Sequence, residues 1–240
     1  MEINKKLTDG LIREHPLRQL FWECTLRCNM HCRHCGSDCK KSAWYADMPK
    51  EDFLRVLDGV AAHTDPHKVF VILTGGEPLV RDDLEECGRA IYDRGFPWGM
   101  VTNGLYLTPE RLEACLRAGM HTATVSLDGF REEHNWMRGN ALSYDRAVAA
   151  IRMLNAVPGL VTDVVTCVNR RNYASLEQLK RFLISIGVKR WRMFTVFPVG
   201  RGQATPNCSC LRPSSGACST LSKARASRAG SRRVTVAKGS

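Results

Sequence analysis

Along residues 17–200, short apolar runs alternate with stretches whose apolar positions recur at helical spacing. Residues 18–23 read as a first strand. Residues 49–63 follow as a helix, with Pro49 suited to its first turn and Phe53, Leu54, Leu57 and Val60 forming a stripe. Residues 69–73 are a continuous apolar run, as expected of a strand buried on both faces. Helix 82–94 ends at Gly95, and strand 98–102 comes next. Thr108 is expected to cap a helix that opens with Pro109 and runs through Cys115. Strand 122–127, a helix from a Ser143 cap to Asn155, strand 161–168, helix 175–186 and strand 190–197 complete the series.

This order predicts an α/β fold with a parallel sheet and helical crossovers. Six strands over this length suit a partial (β/α)6 TIM-like barrel with outer helices. Function in such folds gathers at the C-terminal edge of the strands. The expected organisation is an N-terminal extension (1–16), a core domain (17–202) and a basic low-complexity tail (203–240).

The tail changes the reading of the charge. The chain carries a net charge of +11, but residues 201–240 hold eight Lys or Arg and no acidic residue, so residues 1–200 carry only +3 of it. The basicity therefore does not mark a folded nucleic-acid-binding face, and no nucleic-acid partner is expected. Ser, Arg, Ala and Gly dominate the tail, which reads as disordered. Its composition also resembles sequence translated out of frame, with Arg201 or Gly202 as about the last authentic residue. No apolar run suits a membrane span and the first ten residues are polar, so a cytoplasmic protein is expected.

The chemistry begins with the cysteines. Eleven are present, and Cys28, Cys32 and Cys35 fall in one C-x3-C-x2-C run. Three thiolates this close can converge on one inorganic centre and leave a coordination position open. The alternative is zinc, with Cys24, Cys39, His31 or His34 as fourth ligand, although no second cysteine knuckle lies in residues 40–200. Thr74-Gly75-Gly76-Glu77-Pro78 ends the second strand. Its glycines could let backbone approach a ligand, and Glu77 with exposed carbonyls would attract an ammonium group; a tight turn would use the same residues. Thr102-Asn103-Gly104 and Ser126-Leu127-Asp128-Gly129 end the third and fourth strands and could bond ribose hydroxyls, or simply make turns. Arg138, in a polar loop, could clamp a carboxylate.

Together these pieces resemble the radical S-adenosylmethionine (radical SAM) superfamily over residues 17–202. The cysteine loop after the first strand and Gly-Gly-Glu-Pro after the second are the most specific elements. The later Thr-Asn-Gly, Ser-Leu-Asp-Gly and Pro198-Val199-Gly200-Arg201-Gly202 look like the branch with a C-terminal SPASM domain, whose members modify peptides and proteins. The resemblance implies a 4Fe–4S cluster on Cys28, Cys32 and Cys35, with S-adenosylmethionine chelating the fourth iron. Its reductive cleavage would yield a 5′-deoxyadenosyl radical that takes hydrogen from a peptide or protein substrate, with a reductant such as flavodoxin or ferredoxin as partner. By position, Gly75, Gly76 and Glu77 would hold the methionine amino group and Arg138 its carboxylate. Ser126 and Asp128 would meet the ribose, Thr102 and Asn103 would line the cofactor site, and Thr166 and Val168 would flank adenine. His34 stands where the family often has an aromatic ring. Cys208, Cys210 and Cys218 do not match SPASM spacing, so the chain is expected to be truncated before that domain. Two further readings stay open: an inactive fragment that only binds cluster and cofactor, and a zinc-binding protein.

Overall fold

The computed structural model describes residues 14–37, 39–205 and 235–236. Six strands, β1 (Gln19–Thr25), β2 (Phe70–Gly75), β3 (Trp98–Thr102), β4 (Met120–Ser126), β5 (Val161–Val168) and β6 (Trp191–Thr195), lie parallel in chain order in one sheet. The helices between them are α1 (Lys50–Ala61), α2 (Leu84–Tyr92), α3 (Pro109–Arg117), α4 (Arg131–Arg138), α5 (Ser143–Asn155) and α6 (Leu176–Ser185); a single turn, α7 (Arg201–Ala204), follows β6. The α/β layout and all six strands expected from the sequence are present. A two-residue strand, β7 (Thr235–Val236), pairs in parallel with β6. The proposals of tail disorder and altered reading frame otherwise lie outside the described residues.

The core sits between the sheet and its helices. Val71 and Leu73 of β2 are fully buried, while Phe70 and Ile72, which alternate with them, are half-buried. The strand therefore alternates, with one face under the helices, rather than being equally sealed on both as its apolar run implied. Phe53 of α1 stacks on Trp22 of β1 with ring centroids 4.1 Å apart, while Leu57, Leu84, Ile91, Ile151, Leu154 and Leu179 supply the rest of the helical layer. Trp98 is wholly buried, and its indole N–H donates to the Ala118 carbonyl at 3.0 Å, so this large ring leaves no polar atom unmet.

Local signals held at several ends. Thr108 Oγ1 accepts the Arg111 N–H at 3.2 Å, as a cap should, and Gly95 takes φ +83° just after α2. Ser143 does not cap α5. It lies inside the first turn, where its hydroxyl donates to Asn135 Oδ1 at 2.9 Å. The first strand begins one residue later and ends two residues later than expected. Arg138 is not in a loop. It ends α4, a helix missed because Arg131-Glu132-Glu133-His134-Asn135 gives no apolar stripe.

Candidate metal centre

The loop leaving β1 carries the three cysteines, and its shape is fixed from several sides. Cys28 N–H donates to the Lys40 carbonyl at 2.7 Å, and Arg33 N–H to the Met137 carbonyl at 2.8 Å. Cys28 and Cys32 are buried and Cys35 is half-buried. Burial pushes the Cys28 thiol up to about 11 and raises Cys32 as well, against the pull of Arg138 on the latter. Cys35 differs: a hydrogen bond from Cys39 brings it down to about 5 against its own burial. Burial thus disfavours the thiolate form of Cys28 and Cys32, and a nearby cation favours it.

The donor set tests what that charge could be. With Zn–S bonds of ~2.3 Å, two thiolates on one zinc stand at most ~4.6 Å apart. Among the described residues, the only group of three or more potential ligands whose atoms lie within 4.8 Å of one another is His34, Asp128 and Cys167. The three triad sulfurs do not all lie within 4.8 Å of one another, and three thiols in one loop suit a polynuclear iron–sulfur cluster, whose thiolate ligands sit on separate irons.

Gly-Gly-Glu-Pro lies against this loop. Gly75 has φ +121°, and a Cβ there would stand 2.3 Å from the Thr25 carbonyl oxygen; at Gly76 it would stand 2.0 Å from that of Arg27. Gly76 and Glu77 N–H groups donate to these same carbonyls at 2.7 and 2.9 Å. At these glycines the close approach is to backbone at the end of β1 and the start of the cysteine loop. Glu77 is fully buried, and burial raises its carboxyl. It accepts from Thr102 Oγ1 (2.6 Å), Asn103 N (2.7 Å) and Leu79 N (3.2 Å), and so ties β2 to the end of β3. Asn103 Nδ2 then donates to Asn29 Oδ1 at 2.7 Å, inside the cysteine run. Among the described residues Glu77 Oε2 accepts a single hydrogen bond, from Asn103 N–H, which leaves it acceptor capacity for an ammonium group.

On the other side, Arg138 Nε donates to Asp128 Oδ2 at 2.7 Å, and its Nη1 reaches Cys32 Sγ at 3.8 Å. Both side chains of the ion pair are buried. Burial pushes Asp128 up, but the adjacent Arg138 charge overrides it and holds the carboxyl at about 2. Asp128 Oδ1 accepts the Cys167 N–H at 2.8 Å, so both carboxylate oxygens are engaged by protein. Arg138 is a buried cation shared between the Asp128 carboxylate and the Cys32 thiol, not the solvated arginine of a surface loop.

Not every expected residue reaches this place. Thr166 donates to the Leu127 carbonyl at 2.5 Å and accepts from Trp191 Nε1 at 2.8 Å, and Val168 belongs to the main core. Cys167, between them, points to the opposite face and stands with His34 and Asp128. Thr166 and Val168 therefore lie on the other face of β5 from Cys167. Ser126 is buried at the end of β4. Three contributors went unnoticed in sequence: Asn29, Cys167 and His134, whose Nδ1 accepts the Asp128 N–H at 2.9 Å and whose burial lowers it to about 3. His34 is likewise lowered to about 4 by burial, with Nδ1 unpartnered.

The radical SAM superfamily profile matches residues 22–183, which hold the cysteine loop, Gly-Gly-Glu-Pro and the Asp128–Arg138 pair. The chain belongs to the radical SAM superfamily. Radical SAM enzymes use a 4Fe–4S cluster and S-adenosylmethionine. An AdoMet-dependent heme synthase of Methanosarcina barkeri is 31% identical over 193 residues, covering 80% of this chain and 54% of that protein. A PqqA peptide cyclase of Ruegeria pomeroyi is 28% identical over 193 residues, covering 80% and 50%. The chain spans about half the length of the curated relatives it matches. Streptococcus suis SuiB, solved bound to S-adenosylmethionine and also to its precursor peptide SuiA, superposes with TM-score 0.74 at 15% identity for the former, over 98% of this chain and 55% of SuiB. That likeness is one of fold, and it places the six-stranded parallel sheet among the partial barrels of radical SAM proteins. Among the described residues, no helix is long and apolar enough to cross a membrane.

Proposed function

We propose that Cys28, Cys32 and Cys35 hold the 4Fe–4S cluster and that the chain cleaves S-adenosylmethionine reductively to take hydrogen from a peptide or protein. The observation that carries this reading is the triad itself: three buried or half-buried thiols in one loop, with the Arg138 guanidinium on Cys32. When bound, the cluster supplies the single electron that breaks the sulfonium bond, and the rest falls to the chain's own groups. Arg138 lends positive charge to the Cys32 sulfur and to a carboxylate brought beside it. Glu77 holds the ends of β2 and β3 in register and offers Oε2 to an ammonium group. Asp128 keeps Arg138 oriented, and the neutral His134 fixes the Asp128 backbone. The half-buried Cys167 and His34 line the space between them. A flavodoxin- or ferredoxin-type protein would deliver the electron.

A peptide substrate is supported by the likeness to SuiB, which binds a precursor peptide. The heme synthases among the relatives favour a second reading, a tetrapyrrole substrate. The chemistry common to both is tested by anaerobic reconstitution with iron and sulfide, then dithionite and S-adenosylmethionine. 5′-Deoxyadenosine is expected. A cluster that forms but yields none would support the cofactor-binding fragment. Deuterium transfer into 5′-deoxyadenosine from a labelled peptide, but not from a labelled porphyrin, would separate the two substrates.

A further inference from the structure

The turn after β6 reaches back to the cysteine loop. Arg201 Nε donates to the Cys32 carbonyl at 2.8 Å, and Nη1 to the Cys39 carbonyl at 3.2 Å. Its backbone N–H donates to the Cys35 carbonyl at 2.9 Å. Gly200 makes this seating possible: it takes φ +54°, and a Cβ there would stand 2.6 Å from the carbonyl oxygens of both Cys35 and Gly36. Four residues on, Thr205 Oγ1 donates to the Arg33 carbonyl at 3.1 Å. One residue therefore takes the carbonyls of Cys32, Cys35 and Cys39, across a separation of 169 positions for Cys32.

We propose that Arg201 is a positioning residue for the metal centre: its side-chain fork and backbone N–H clamp the cysteine loop in its ligating shape and so set how firmly the cluster is held. This rests on the triad being the cluster site. The physical reason is direct. A peptide carbonyl held by a donor fixes the plane of its peptide, and with it the direction in which the neighbouring Cα–Cβ bond presents a sulfur. Two of the three clamped carbonyls belong to cluster ligands. The planar guanidinium spans two carbonyls at a fixed spacing, which a single ammonium cannot do. The clamp also links the ligand loop to the end of β6, so displacement of that strand is felt at the cluster.

The test uses the full chain as wild type, Arg201→Ala and Arg201→Lys, each reconstituted anaerobically, with folding checked by far-UV circular dichroism. The readout is the rate at which sulfide-to-iron charge-transfer absorbance is lost to excess chelator. Loss of an outer partner of a metal ligand costs 10–100-fold in affinity, so both variants are expected to release iron roughly 10–100-fold faster than wild type. If Arg201→Ala does not fold, Arg201→Lys, which keeps the charge and loses the fork, decides alone. Wild-type release rates in Arg201→Lys would overturn the clamp. A wild-type chain that assembles no cluster would instead overturn the assignment of the triad, a separate and recognisable failure.

Discussion

Asp128→Asn isolates the buried ion pair beside the triad. Asp128 gives one oxygen to Arg138 Nε and the other to the Cys167 N–H, both donors. The amide offers one oxygen and an NH2, so one donor is left facing another donor, and the Arg138 charge loses its counter-ion in a buried setting. Removing one partner of a buried pair costs about 3–5 kcal/mol. The depression of the carboxyl from 3.8 to about 2 corresponds to ~2–3 kcal/mol, in the same range. Taking ~3 kcal/mol, a chain of this size should lose roughly 6–12 °C in Tm. The pH dependence follows from the direction of the shift. A depressed carboxyl stabilises fully above its unfolded value and loses that contribution as pH falls through the folded one. The gap in Tm between wild type and Asp128→Asn should therefore be full at neutral pH and shrink between pH ~4 and ~2. Thermal melts by circular dichroism across this range measure it. A variant melting less than about 2 °C below wild type at neutral pH, or a gap that widens on acidification, would refute the reasoning.

Other outcomes are expected. Alanine at Cys28, Cys32 or Cys35 should abolish cluster assembly, whereas alanine at Cys87 or Cys115, core thiols pushed up to about 12 by burial, should leave bound iron unchanged. Glu77→Ala strands three donors, on Thr102, Asn103 and Leu79, at about 1–3 kcal/mol each, so equilibrium unfolding should show a loss of several kcal/mol and calorimetry weaker S-adenosylmethionine binding. Leu57→Ala, far from the site in α1, should cost about 2–5 kcal/mol in denaturant melts while the folded fraction retains its iron content.

What could be read from the sequence was what local chemistry writes. The six strands follow from short apolar runs, the Thr108 cap from hydroxyl chemistry within three residues, and the candidate metal site from three thiols within one loop. Legibility failed where a residue's meaning depends on a distant partner. Arg138 read as a polar-loop residue because its counter-ion, Asp128, lies ten positions away and α4 has no apolar stripe to announce it. Gly75 and Gly76 marked a close approach correctly, but only the fold shows that the approaching group is backbone at Thr25 and Arg27. On β5 only the fold shows which residues share a face: Thr166 bonds the Leu127 carbonyl, while Cys167 stands with His34 and Asp128. Arg201 stood in a motif but without a role, since its contacts are carbonyls that no side-chain pattern records.

The central claim is that Cys28, Cys32 and Cys35 hold a 4Fe–4S cluster, and iron and acid-labile sulfide counted per chain after anaerobic reconstitution test it most directly. Wild type should bind about four of each and Cys32→Ala neither in that ratio. Stoichiometric zinc without sulfide in wild type, or a full complement of both in Cys32→Ala, would contradict it.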